Sequence, residues 1–447
     1  MGFKAERVAN SAGFVEEDEQ MEIPKEIVEK SQGLENALSA RCPALSGLID
    51  RCFRNTAETT LQKDELGFFV ITGDIPAMWL RDSAGQVAHY VPLAKDSDTM
   101  RNILRGVIER QCFEINLDPY ANAFNREPNG RSYDPRDESD RKSAWVWERK
   151  FELDSLCAPI FLAFDYYRMT KDGSIFTAGF HRMLENVVKV CKTEQAHASS
   201  PYYFRRKSKK ATETLAENGR GSPVGETGMI WSGFRPSDDA CTYHYLVPAN
   251  MMAAAALKRA ARLVSDGFGD EDLARECIRI SGEVDRGIEK FGIVRHPKYG
   301  KIYAYETDGL GSYNLMDDAN SPNLLSIPFL GYRDISDPIY RNTRKFILSE
   351  DNPYYYKGTA ATGIGSPHTP SGNVWPMSIV MQALTSDNHH EITDCLNILA
   401  HTHAGTGLMH ESFDADDPSK FTRPWFAWAN SMFSLLIFRL VQNSFPF

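Results

Sequence analysis

Apolar positions recur at three-to-four spacing along most of this chain, the signature of helices that bury one face. In Glu271–Phe291, Leu273, Cys277, Ile280, Val284 and Ile288 fall on a single stripe, and Gly292 supplies a stop. Asn250–Val264 (NMMAAAALKRAARLV) is rich in the strongest helix formers. The same spacing predicts helices over Arg101–Ile115, Leu153–Met169, Met183–Cys191, Ile339–Leu348, Asn373–Leu384 and Phe426–Val441. Strand-like alternation is scarce, with Ile302–Tyr305 one short candidate.

Two kinds of connection separate these stretches. Five are short and polar, at Ala94–Asp98, Thr170–Gly173, Ser265–Glu271, Arg333–Pro338 and Ser386–His390, and each suits a helical hairpin. Six are long and full of Gly, Trp, Arg and acids, centred on Asp74–Ser83, Tyr120–Asp154, Gly221–Asn250, Tyr305–Asn323, Pro353–Trp375 and Gly405–Pro424. Long loops inside a compact domain are usually functional. Their alternation with short turns predicts an all-α fold: twelve helices in six hairpins, an (α/α)6 barrel with its long loops gathered at one end as an active-site cup. The 447 residues, which by length would suggest two or three domains of about 150 residues, are then one catalytic domain over 24–447. Residues 1–23 read as a mobile acidic lead-in, and Phe204–Gly221 reads as an exposed flap.

Composition narrows the partners. Sixty acidic against 50 basic residues give a net charge of −10, which argues against nucleic acid and anionic lipid surfaces. No apolar run is long enough to span a membrane. The N-terminal residues show no secretory pattern, and Glu6 stands where myristoylation wants Ser or Thr. The eight cysteines are scattered without a CxxC, which reads as reduced core thiols in a cytoplasmic protein.

The long loops hold the chemistry. TGDIPAMWLRDS brings Asp74, Trp79, Arg81 and Asp82 together; a guanidinium and a carboxylate suit neighbouring sugar hydroxyls, and an indole suits the apolar face of a ring. A salt-bridged helix cap would look the same in isolation. In AWVWERKFELD, aromatic and charged residues alternate, with Trp147 and Glu148 candidates for a pocket wall. WSGFRPSDDAC carries Arg235 and the adjacent Asp238 and Asp239; like-charge repulsion should raise one pKa toward that of a general acid, unless one of them caps the next helix. Asp317 and Asp318 form a second such pair. His368 and Trp375 are further candidates for contacting a sugar, and Glu411, beside His410 after a Gly-rich turn, is the candidate base. His401, His403, His410 and Glu411 match no zinc spacing such as HExxH, and GxGxxG, Walker A and GxSxG are missing. Carboxylates, aromatics and arginines on loops fit glycoside hydrolysis, with neither metal nor cofactor.

The motifs TGDIPAMWLRDS, VWERKFELDSL, WSGFRPSDDAC, LMDDANSPNLL and LMHESF, in this order, resemble glycoside hydrolase family 125 from about Ile27 to the end. The resemblance implies an exo-acting, inverting, metal-independent α-1,6-mannosidase that takes an oligosaccharide with a terminal α-1,6-linked mannose. It places the acid at Asp238 and the base at Glu411, and makes Arg81 and Asp82 ligands of the terminal mannose. Inversion then requires the two carboxyls to stand roughly 6.5–9.5 Å apart. A sugar epimerase or isomerase on the same scaffold would instead need a His base, a binding module would need no opposed acids, and a uronate lyase would want a basic groove.

Overall fold

The computed structural model describes residues 22–39 and 42–445, so most of the lead-in falls outside the described residues. Twelve α-helices of eight or more residues are present among them: α1 (Lys25–Ser39), α2 (Leu48–Thr59), α3 (Leu80–Val87), α4 (Asp98–Leu117), α5 (Leu153–Thr170), α6 (Ala178–Gln195), α7 (Val247–Phe268), α8 (Glu271–Phe291), α9 (Pro338–Ile347), α10 (Pro376–Leu384), α11 (His389–His401) and α12 (Ala427–Gln442). Strands are at most four residues long and occur in sheets of two or three inside the loops. The candidate strand at Ile302 is one arm of a hairpin, Gly300–Tyr303 against Ile293–His296.

How the helices begin divides them into two groups. Those that follow short turns carry side-chain caps: Ser97 on α4, Thr177 on α6, Asp270 on α8, Asp337 on α9 and Asn388 on α11 each accept a backbone N–H of the first turn. Such caps satisfy amides that have no partner within the helix. Those that follow long loops start from Trp79, Glu152, Leu246, Trp375 and Phe426, in extended conformation and with no side-chain cap. The first turns of three of these, α3, α5 and α12, hold Arg81 with Asp82, Asp154, and Trp428.

The helices entered from long loops pack on one another: α3 on α5, α5 on α7, α12 on α3 and on α10. Most residues of α7 and α12 are buried, and one apolar core runs from Ile27 to Phe445. The charged start of α3, which the pattern assigns to a loop, is helical because the whole helix is enclosed and shows no amphipathic stripe; Arg81, Asp82, Ser83 and Gln86 are all buried. The stretch at Asn373 begins its helix only at Pro376, since the residue before proline is held extended; Asn373–Val374 pairs with Phe413–Asp414 instead. The flap is exposed only in part. Phe204, Arg206 and Leu215 are buried, and Arg206 binds Asp137, Glu148 and Glu213.

Close packing fixes α3 against α12. A Cβ on Gly85 would meet Trp428 Nε1 at 2.3 Å. Gly85→Ala is therefore expected to lower stability by about 1–3 kcal/mol and to disturb Trp428; chemical denaturation matching the wild type would contradict this packing.

Candidate active site

A narrow pocket of about 60 Å3 gathers residues from distant segments: Trp79, Arg81 and Asp82 from the start of α3, Asp238 and its neighbours, Asn320, His368, Trp375, Glu411, Arg423, and Trp428 of α12. Seven of the residues predicted from sequence thus meet at one place. Burial sets its polarity: Arg81, Asp82, Trp79, Trp375 and Trp428 are nearly inaccessible and form its depth, while Asp74 and His368 are open to solvent and Asp74 faces Arg423 at 3.7 Å.

Asp238 sits in a turn closed by the bridge between Phe234 and Ala240, its own N–H donating to the Arg235 carbonyl. Its φ of +62° is left-handed, a strained conformation for a residue with a Cβ, of the kind found at functional sites. Trp79 Nε1 and Asn122 Nδ2 donate to its Oδ1 at 3.3 and 3.0 Å, and Lys150 Nζ donates to its carbonyl at 2.7 Å. Glu411 comes from the opposite part of the sequence, on a loop held by the bridge between Phe413 and Phe421. Thr422 Oγ1 donates to its Oε2 at 2.7 Å, and Arg423 stands 3.6 Å from Oε1.

At the depth of the pocket, Arg81 contacts Glu152 at 2.6 Å, Asp154 at 2.9 Å and Asp82 at 3.4 Å. Burial drives the Asp82 carboxyl up to about 6 against the pull of Arg81. Arg81 Nε and Asp82 Oδ2 are buried without a hydrogen-bond partner among the described residues, so ligand hydroxyls can complete them.

The expected rise in pKa at the Asp238–Asp239 pair is not found, nor does either residue cap a helix. Burial does favour the neutral acid at Asp238, but Lys150, Arg81, a hydrogen bond from Glu152 and His368 outweigh it and leave the pKa below its ordinary value. Asp239 is likewise held down, against burial, by His368, whose own pKa the two aspartates raise. The raised pKa lies one residue group away. Burial and the neighbouring Asp238 charge push Glu152 well up despite Arg81.

Other predicted residues stand outside the pocket. Arg235 pairs with buried Glu306 at 2.6 Å. Asp317 accepts the N–H groups of Leu324 and Leu325 and so braces the turn-rich segment there, with Asp318 tied to Asn320 and Ser366. The His410 ring stacks on Phe421 and faces the Arg423 and Pro424 carbonyls, and burial lowers its pKa. Glu148 binds Arg206 and Asn122, and Trp147 packs near Trp79 at the rim of a larger hollow of about 430 Å3. Among the described residues, no group of three or more His, Cys, Asp or Glu could hold a metal ion, and no helix is long and apolar enough to cross a membrane. Sequence reasoning missed Trp428, which looks like any apolar residue of its helix, Asn320, which lies within LMDDANSPNLL without being singled out, and Arg423, which carries no pattern.

A pocket walled by indoles and lined by carboxyls, over a helical scaffold, fits a carbohydrate-cleaving hydrolase. The scaffold alone is shared with a bacterial glucoamylase complexed with acarbose, at TM-score 0.57 and 12% identity over 88% of this chain and 55% of that one. Residues 43–438 match the family model described as metal-independent alpha-mannosidase (GH125), and the chain belongs to that family of glycoside hydrolases. It is 43% identical over 423 residues to the meiotically up-regulated gene 157 protein of Schizosaccharomyces pombe, spanning 89% of this chain and 82% of that protein. It is also similar to a Streptococcus pneumoniae protein of the metal-independent α-mannosidases, solved as a non-productive complex with α-1,6-mannobiose. There the TM-score is 0.91 and the identity 39%, over 94% of this chain and 99% of that one.

Proposed function

We propose that this α-mannosidase is exo-acting and inverting, and removes non-reducing terminal mannose from α-1,6-linked oligosaccharides. The observation that carries the reading is the convergence of Asp238 and Glu411 on one deep, indole-walled pocket. Asp238 gives a proton to the glycosidic oxygen, and Glu411 takes one from a water attacking the other face of the ring. Arg81 and Asp82 bind the terminal sugar, with Trp79 and Trp375 against its apolar faces. The α-1,6 linkage is supported by the disaccharide bound to the Streptococcus pneumoniae relative. The depth of the pocket supports exo action, because Arg81, Asp82 and Trp428 close off its inner end.

We read the scaffold as one (α/α)6 barrel domain. Support comes from the chain of contacts α10–α12–α3–α5–α7 among the helices entered from long loops. The eight free cysteines, seven of them buried, support a reducing compartment such as the cytoplasm.

Incubation with α-1,6-, α-1,3- and α-1,2-mannobiose tests the specificity: mannose is expected from the α-1,6 isomer first and fastest. Proton NMR of the earliest product is expected to show β-mannose before mutarotation. No release from the α-1,6 isomer, or an initial α signal, would overturn the linkage or the stereochemistry respectively.

A further inference from the structure

The assignment of Asp238 as acid leaves a difficulty: the cations around it favour its ionised form, and an ionised carboxylate has no proton to give. The surrounding geometry supplies one. Among the described residues, Arg81 is the one guanidinium touching Asp82, Glu152 and Asp154, and none of these side chains is more than 5% exposed. Lys150, the next cation, is shared with Glu148 and Glu213 as well as the Asp238 carbonyl. Ionising every carboxyl would leave buried negative charge uncompensated, which is relieved when two neighbours hold a proton between them.

Glu152 is the carboxyl built for this. Its Oε2 accepts from Arg81 Nη1 at 2.6 Å and from Ser155 Oγ at 2.9 Å. Its Oε1 faces Asn122 Nδ2 at 3.5 Å, and the same amide nitrogen donates to Asp238 Oδ1 at 3.0 Å. The Asn122 amide is itself oriented by the Lys150 N–H on its Oδ1 at 3.1 Å. One oxygen of Glu152 is thus fixed as an acceptor, and the other shares the Asn122 amide with Asp238, to which Glu152 is itself hydrogen-bonded.

We propose that Glu152 is a positioning residue that shares one proton with Asp238 and supplies it for leaving-group protonation. The proposal rests on the assignment of Asp238 as the acid. When substrate binds, the shared proton moves onto Asp238. The C1–O bond then breaks, its electron pair goes to the glycosidic oxygen, and that oxygen takes the proton. Water adds to C1 and gives its proton to Glu411. Each turnover removes one proton from the pair and adds one to Glu411, and exchange with solvent restores both. The raised pKa of Glu152 and the lowered one of Asp238 agree with a proton resting on the Glu152 side. The charged groups facing the pair are Arg81, Asp82 and Asp154 from α3 and α5, Glu148 and Lys150 from the preceding loop, and Asp239 and His368 at the mouth.

The test is the pH profile of kcat/KM for Glu152→Gln on two substrates: α-1,6-mannobiose, and α-mannosyl fluoride, whose leaving group needs no proton. The amide keeps the shape of the site but cannot share a proton. The alkaline limb on mannobiose is therefore expected to move down by at least one pH unit, with at least a tenfold loss at pH 7, while turnover of the fluoride stays within about threefold. A merely structural role would lower both substrates alike and leave the limb in place, and that result would overturn the proposal. Should Glu152→Gln fail to fold, Glu152→Asp, which keeps a carboxylate near Arg81 but withdraws it from Asp238, reads the same limb. Asp238→Asn separates the two claims. If it lowers both substrates equally, the acid assignment itself is wrong; if it spares only the fluoride while the Glu152 variants leave the limb unmoved, proton sharing alone is wrong.

Discussion

Glu411→Gln is expected to lower kcat/KM for α-1,6-mannobiose by about a thousandfold, with little change in stability. The amide is isosteric and can keep its contact with Thr422 Oγ1, so the loop bearing it has no reason to move. What disappears is the lone pair that accepts a proton from the attacking water. Water alone is a poor nucleophile, so a base that is positioned but cannot accept a proton leaves only binding and the acid to act. Glu411→Ala extends the test, since it opens space for azide, which attacks without losing a proton. Azide is expected to restore turnover and to give β-mannosyl azide from the α-configured fluoride. Activity within tenfold of the wild type for Glu411→Gln, or an α-azide product, would remove Glu411 from the role of base.

The parts of this site that could be read from sequence are those where chemistry and chain punctuation coincide. Asp238 follows Arg–Pro–Ser in a turn, Glu411 follows a Gly-rich bend, and Arg81 and Asp82 follow a tryptophan at the end of a loop. Gly405 and Gly407 adopt φ of +76° and +70°, so the bend ahead of Glu411 is one that glycine makes cheaply. The short turns were equally plain, because each carries a capping Ser, Thr, Asp or Asn. Harder to read were residues whose role depends on what lies across the fold. Glu152 and Asp154 belong to the alternation AWVWERKFELD, but nothing local says that both would face Arg81. Their partner stands more than 70 positions away, and only burial turns a solvated charge pattern into a proton-holding cluster. The expected rise in pKa at Asp238 failed for the same reason: adjacency along the chain counts for less than the cations Lys150 and Arg81 brought in from elsewhere. His410 and Asp317 illustrate the converse, since each lies beside a reactive-looking motif, yet Asp317 binds the Leu324 and Leu325 amides and His410 turns Nδ1 to the Arg423 and Pro424 carbonyls.

Arg81→Met is expected to cost about 3–5 kcal/mol of stability at pH 8, the range for removing one partner from a buried charge cluster. Met fills much of the same volume, so the loss is electrostatic: Glu152 and Asp154 remain buried with no guanidinium opposite them. The pH dependence identifies the cause. Burial already raises the folded-state pKa of both carboxyls, against Arg81, so the folded protein binds more protons than the unfolded chain above the unfolded values, and stability falls as pH rises through that window. Without Arg81 the pKa values climb further and the window widens, so the deficit relative to wild type should be smaller at pH 5 than at pH 8. Denaturant titration at the two pH values checks this, and an equal deficit at both would mean that lost packing, and not unpaired charge, is responsible. Adding Glu152→Gln and Asp154→Asn to Arg81→Met removes the two carboxyls nearest the guanidinium, leaving Asp82, and is expected to recover most of the stability. It should not recover activity, because the proposed roles of Arg81 in holding the terminal sugar and of Glu152 in keeping a proton beside Asp238 are both removed. On this reading the cluster is kept at some expense to the fold because the proposed reaction uses its charges.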